Sequence, residues 1–253
     1  MSDLYSMASV LLSSVLLSTT SVAAEPTADA ILTGVQVASS FDTNYSESRQ
    51  IITTSSGRDR TLTMRGWTTG GGDKQLVEYT SPSNVAGQKM LTTGFGDNIW
   101  MFNPETNRSR KLGSHMKKKK VMGSDFTYED QDAGDIRKRF TGTLLRSESL
   151  DGVDCWVLHL RPTSEGPSYR TVHAWVSKPD HVMRRADFYL GDNPDAQKRL
   201  IAGDIRTVGQ RQVAHTITMK NLADGTQTVV HVDTVQYGVQ IPDSAFDPAR
   251  LGH

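Results

Sequence analysis

Between residues 49 and 236 the sequence alternates apolar and polar side chains with period two, segment after segment. Nearly every segment ends at glycine, proline, asparagine or aspartate. Such alternation sends successive side chains to opposite faces of a strand, and the enrichment in β-branched and aromatic residues favours strand over helix. Strands are predicted at 49–54, 60–69, 74–80, 89–93 and 99–102, then at 138–150, 155–161, 170–177, 181–190, 198–209, 212–221 and 226–236. Turns such as Asp151-Gly152, Glu165-Gly166-Pro167 and Asp224-Gly225 separate them. A succession of hairpins makes an antiparallel meander. Several segments approach ten residues, against a usual strand length of about five to six, so one large curved sheet fits better than a compact sandwich. That sheet must close into a barrel or have its concave face covered.

Two covers are available. Residues 27–41 place Ala30, Ile31, Val35, Val37 and Ala38 near helical spacing, with Gly34 as the weak point. A helical turn is also expected within 127–136. Residues 42–46 read as the turn after the first helix, and 241–246 as a short apolar anchor. The fold class read from this pattern is mainly β: one large curved antiparallel sheet, closed into a barrel or covered by these helices.

Of the 253 residues, the first 24 read as a signal peptide: a short apolar run at 10–17, then small residues including Val22 and Ala24 before Glu25-Pro26. The run falls short of the roughly 20 residues a membrane helix needs. The segment before it carries Asp3 and neither lysine nor arginine, which departs from the usual leader. Cleavage after Ala24 leaves residues 25–253 as a single domain. Twenty-eight basic and 28 acidic side chains cancel, which argues against nucleic acid as a partner. The lone Cys155 rules out an internal disulfide. The seven histidines lack metal-ligand spacing, Gly-x-Ser-x-Gly does not occur, and the glycine-rich stretches lie between strands. No cofactor, metal or catalytic residue is expected, and a hydrolase built on a carboxylate pair stays open only as a distant alternative.

Two sets of residues could carry function. One is the apolar side chains sharing strand faces: Leu62 with Met64, Trp100 with Phe102, Trp156 with Leu158 and Leu160, and Phe188 with Ala186 and Leu190. They read either as ordinary core or as a concave apolar face that holds a lipid tail. The other is a charge reversal. Seven cations and no acid lie between Arg108 and Lys120, including Lys117, Lys118, Lys119 and Lys120; five acids and no cation lie between Asp125 and Asp135. The lysines read as a solvated hairpin loop, as a membrane contact worth about 1 kcal/mol per cation, or as a docking site for an acidic partner.

The chain resembles the outer-membrane lipoprotein-sorting proteins of the LolA-like superfamily, in particular the subgroup often paired with efflux-type membrane transporters. The residues that carry the resemblance are Tyr79-Thr80-Ser81-Pro82, Gly87-Gln88-Lys89-Met90-Leu91, Trp100-Met101-Phe102-Asn103-Pro104 and Gly123-Ser124-Asp125-Phe126-Thr127-Tyr128-Glu129-Asp130. Tyr169, Ala174-Trp175-Val176 and the strand around Phe188 fit the same pattern. The resemblance implies a strongly curved, open antiparallel sheet with capping helices, a LolA/LolB-like half barrel whose concave apolar cavity shields acyl chains. It also implies a non-enzymatic periplasmic carrier of a lipid or lipidated protein, with an inner-membrane transporter and an outer-membrane acceptor as partners. An accessory or scaffold subunit of a transporter without lipid cargo is the alternative. On this reading Pro104 and Gly123 to Asp130 form a rim at the cavity mouth, and the lysine run, richer than the family pattern, docks the partner.

Overall fold

The structure is a computed structural model that describes residues 25–131, 135–164 and 168–252. The proposed leader, and the turn at Glu165 to Pro167, lie outside the described residues.

The first element is α1 (Ala28–Ser39). Thr27 caps it, its Oγ1 accepting from the amide of Ala30 at 3.2 Å, and Ala28, Ile31, Leu32 and Val35 form its buried stripe at helical spacing. Gly34 is required by packing, because the His181 imidazole occupies the space a Cβ would fill. Strands follow: β1 (Thr43–Thr53), β2 (Asp59–Thr69), β3 (Lys74–Ser81), β4 (Lys89–Thr93), β5 (Asn98–Asn103) and β6 (Arg108–Lys111). After a long connection and the one-turn helix α2 (Ile136–Arg139) come β7 (Phe140–Leu150), β8 (Val153–Pro162), β9 (Tyr169–Ser177), β10 (Met183–Leu190), β11 (Lys198–Val208), β12 (Arg211–Asn221) and β13 (Thr226–Tyr237).

All thirteen join one open antiparallel sheet in the order β6-β5-β4-β3-β2-β1-β13-β12-β11-β10-β9-β8-β7. Each strand pairs with its sequence neighbour, with one exception. The first and last strands meet in the middle, where Asn44 stands opposite Tyr237 and Thr53 opposite Gln227. The two edges are therefore β6 and β7, which are consecutive in sequence. The chain between them has to travel from one edge of the sheet to the other, and Val121, Met122, Asp125 and Tyr128 of its described part lie on the inner face. Helix α1 lies on that same face, packed against β7, β12 and α2.

Strand register sorts the core. On the inner face Leu158 pairs with Ala174, Ala174 with Ala186, Ala186 with Leu200 and Leu200 with Met219. In the other half, Val77, Met90 and Met101 continue that face. The outer face carries Trp67, Leu76, Leu91 and Trp100 in one paired row, covered by Phe246 and Leu251 of the C-terminal tail. Lys89 fastens the tail, its Nζ donating to the Leu251 carbonyl at 2.8 Å.

Four local expectations are corrected. Strand β1 begins at Thr43, so the expected turn at 42–46 is strand; Tyr45 pairs with Gln236 and its ring meets Trp67 at 5.5 Å. Strand β6 was not predicted, because its four residues are all exposed and carry three cations, so no alternation marks it. The expected helical turn at 127–136 is two pieces, a 3-10 turn at Tyr128–Gln131 and α2, which also takes Lys138 and Arg139 from the expected strand. The lysine run is no hairpin loop: Lys117 and Lys118 end a 3-10 turn, Ser114–Lys118, and Lys120 bridges to Thr127.

Candidate functional site

The long connection acts as a strap, and its sequence explains how it is held. Val121, Phe126 and Tyr128 are buried, and a buried side chain such as Val121 or Phe126 is worth roughly 1.5–3 kcal/mol against exposure. Val121 and Tyr128 pack on Met90 and Ile99, while Met122 packs on Ile52, Leu62 and Tyr79. Gly123, at φ 79°, follows Met122 at φ 51°, so the chain reverses through two left-handed residues, the second of which suits glycine.

Next come two carboxylates that fix the strap to distant strands. Asp125 is 1% exposed. Its Oδ1 accepts from Thr226 Oγ1 at 2.6 Å, its Oδ2 from Thr228 Oγ1 at 2.9 Å, and its own amide donates to Thr228 Oγ1. Lys120 Nζ adds charge at 3.3 Å from Oδ1. Asp130 Oδ1 accepts from Tyr169 Oη at 2.8 Å, and its Oδ2 accepts from the Thr127 amide and hydroxyl and lies 3.4 Å from Lys198 Nζ. Lys198 also donates to Tyr169 Oη at 2.9 Å. Burial, and then the Asp130 charge, push the Tyr169 hydroxyl far above the ordinary phenol range, so it stays a donor. Glu129 accepts from the Ser168 amide at 3.3 Å through Oε2, while its buried Oε1 has no hydrogen-bond partner among the described residues.

Between the strap, α2 and strands β8 to β12 lies a cavity of 560 Å³. Its walls are Phe140, Leu160, Val172, Ala186, Phe188, Leu200 and Met219, with Tyr128 and Tyr169 on the strap side. Lys117, Lys118 and Lys138 reach it from its solvent edge, and Glu129 and Asp130 from within. The space is thus apolar at depth and cationic at its mouth, within the roughly 300–1,000 Å³ range of sites for one small ligand.

The candidate cavity residues divide. Leu160 and Phe188 line the cavity. Leu158 and Trp156 share the inner face and the same apolar cluster with α1, but they do not line the cavity. Leu62 and Met64 lie in the cluster beneath Met122, apart from the cavity. Trp100 and Phe102 occupy the opposite face, under the C-terminal tail, because the β4–β5 register puts Met101 rather than its neighbours inward. Pro104 sits in the β5–β6 turn, its ring against Gly87. Ser124, Asp125, Phe126 and Tyr128 are buried, so they hold the strap down rather than present a rim. Of the lysines, Lys117 pairs with Asp97 at 3.6 Å, Lys120 with Asp125 and Asp224, and Lys118 and Lys119 are exposed.

Sequence reading missed Val172, Leu200 and Met219. The same alternation, carried through 170–177, 198–209 and 212–221, would have placed them. It also missed Lys198, since a lysine opening a strand reads as solvated; nothing local marks it as buried.

A family model described as that of an uncharacterized protein matches residues 71–253. No match was found among curated proteins. Among solved structures, the chain is similar to one from Vibrio parahaemolyticus described as an outer membrane lipoprotein-sorting protein domain, at 22% identity and TM-score 0.80, covering 88% of this chain and 97% of that one. A DUF1329 family protein from Desulfovibrio piger gives 22% identity and TM-score 0.81 over the same shares. A LolA superfamily protein from Nitrosomonas europaea gives 20% and 0.72, over 88% and 98%. These likenesses establish the LolA-like fold.

Proposed function

We infer that this chain, which belongs to the uncharacterized-protein family matched over residues 71–253 and has the LolA-like fold, is a carrier of an acyl-chain amphiphile. The observation that carries the reading is the inner cavity: 560 Å³, walled by Leu160, Val172, Ala186, Phe188, Leu200 and Met219, and opening beside Lys117, Lys118 and Lys138. Each methylene buried there contributes about 0.8 kcal/mol, and the lysines favour an anionic headgroup at the mouth. On this reading the role is binding and release rather than turnover. Release needs a partner that lifts the strap or competes for the cavity, since burial alone sets no direction.

The description of the Vibrio parahaemolyticus protein supports lipid or lipoprotein cargo, and the apolar run before Glu25 supports an exported, periplasmic location. In that setting an inner-membrane transporter would load the carrier and an outer-membrane acceptor would unload it. A fluorescent fatty-acid titration tests the cavity. The purified protein should bind the probe saturably, and Ala186→Phe, which fills the cavity, should abolish uptake while the fold survives. Equal uptake by the filled variant would place the lipid elsewhere.

A further inference from the structure

The outer face of β8, β9 and β10 carries a line of polar side chains that the inner cavity does not use. Arg161 Nε donates to His159 Nε2 at 3.1 Å, His159 Nδ1 lies 3.1 Å from His173 Nε2, and His173 Nδ1 lies 3.2 Å from Tyr189 Oη. Register produces the line: His159 stands opposite His173 on the neighbouring strand, and Tyr189 opposite Thr171.

The direction of every bond follows from one end. A guanidinium only donates, so His159 Nε2 must accept. The neutral ring then carries its proton on Nδ1 and donates to His173 Nε2. His173 in turn carries its proton on Nδ1 and donates to Tyr189 Oη. Burial holds both imidazoles below their ordinary value, in keeping with neutral rings, and holds the Tyr189 hydroxyl above its own. The phenol oxygen accepts from the relay, which leaves its own hydrogen to donate to another acceptor.

Beyond it lies a second cavity, of 480 Å³, bounded by Arg161, Arg170, His173, Tyr189 and the loop from Gly191 to Pro194. Arg170 is held at the lip by an exposed ion pair with Asp192 at 2.5 Å. The nearby Asp187 is already neutralised by Arg185 and Arg199. Arg161 has no carboxylate partner among the described residues, and its Nε alone is engaged. The pocket therefore presents donors from three sides: Arg161, Arg170 and the Tyr189 hydroxyl.

We propose that this outer pocket binds a phosphate group, with Arg161 supplying the charge, Tyr189 Oη a hydrogen bond oriented by the two histidines, and Arg170 a second cation that exchanges Asp192 for the ligand. A tetrahedral oxyanion can accept from three directions at once, which a planar carboxylate does less well. The phosphate comes either free or as the headgroup of a phospholipid.

Side-chain ¹H–¹⁵N spectra of the histidines test this in the full protein. The relay requires His159 and His173 both protonated on Nδ1; the opposite tautomers would overturn it. Inorganic phosphate alone should shift these resonances saturably if the ligand is free phosphate, and only phosphatidylglycerol vesicles should do so if it is a headgroup. Tyr189→Phe should weaken the response about tenfold, and Arg161→Gln should abolish it, both with fatty-acid uptake by the inner cavity unchanged. No saturable shift with either probe, the same shift with sodium chloride at matched ionic strength, or wild-type binding by Tyr189→Phe would each contradict the proposal. Because fatty-acid uptake is read separately, failure here leaves the carrier reading standing.

Discussion

Asp130 Oδ2 lies 3.4 Å from Lys198 Nζ, with the two side chains 7% and 8% exposed, and this pair joins the strap to β11 across the inner face of the sheet. Tyr169 bridges them, donating to one and accepting from the other. A buried pair of this kind is weak evidence for stability in itself, but removing one partner strands the other charge, at about 3–5 kcal/mol. Lys198→Met should therefore lower the denaturation midpoint sharply, and Asp130→Asn combined with Lys198→Met should recover much of the loss. Additive losses in the double variant would show that the two residues act independently.

The second fastening is Asp125 on Thr226 and Thr228. Thr228→Val keeps the volume of a residue with no exposed surface and removes the hydroxyl that serves both the Asp125 amide and its carboxylate. Loss of these bonds should cost about 1–3 kcal/mol. Hydrogen exchange should rise across 120–131 while α1 stays protected. Uniform loosening of the whole sheet would mean the strap is not a separately held unit.

Much of the fold was legible because alternation and turn residues mark strands locally. That Leu158 shares one face of β8 with Leu160, and Ala186 one face of β10 with Phe188, could be read directly. The pairing of β1 with β13 could not, since no local pattern records which strands meet across nearly two hundred residues. That pairing makes β6 and β7 the edges and turns the connection between them into a strap. The signature around Asp125 and Asp130 consequently looked like a charged rim when it is a buried clasp. Trp100 and Phe102 were placed on the wrong face for a related reason: alternation shows that two residues share a face, but not which face points inward.

Buried tyrosines should weaken the fold at high pH. Burial raises Tyr79 well above its ordinary value of 10.0. The unfolded chain loses this proton near pH 10 while the folded chain keeps it, so the unfolded state binds fewer protons there and stability falls as pH rises past 10. One such group contributes a slope of up to about 1.4 kcal/mol per pH unit. Tyr79→Phe should flatten the decline of the unfolding free energy between pH 10 and roughly 11.5, with little change at pH 7. An unchanged slope would remove Tyr79 from the account.

The lysines at the cavity mouth should act on headgroups rather than on the fold. Replacing Lys117 and Lys118 with serine should weaken binding of an anionic amphiphile several-fold, leave a neutral one of equal chain length unaffected, and abolish the salt dependence of the difference. Equal loss for both ligands would point to a rearranged strap instead.

The carrier reading is tested most directly by mass spectrometry of organic extracts from the protein purified out of its native cell. The account predicts acyl lipid in stoichiometric amount from the wild type, and none from Ala186→Phe. A clean wild-type extract, together with no uptake of a fluorescent fatty acid by the stripped protein, would contradict it.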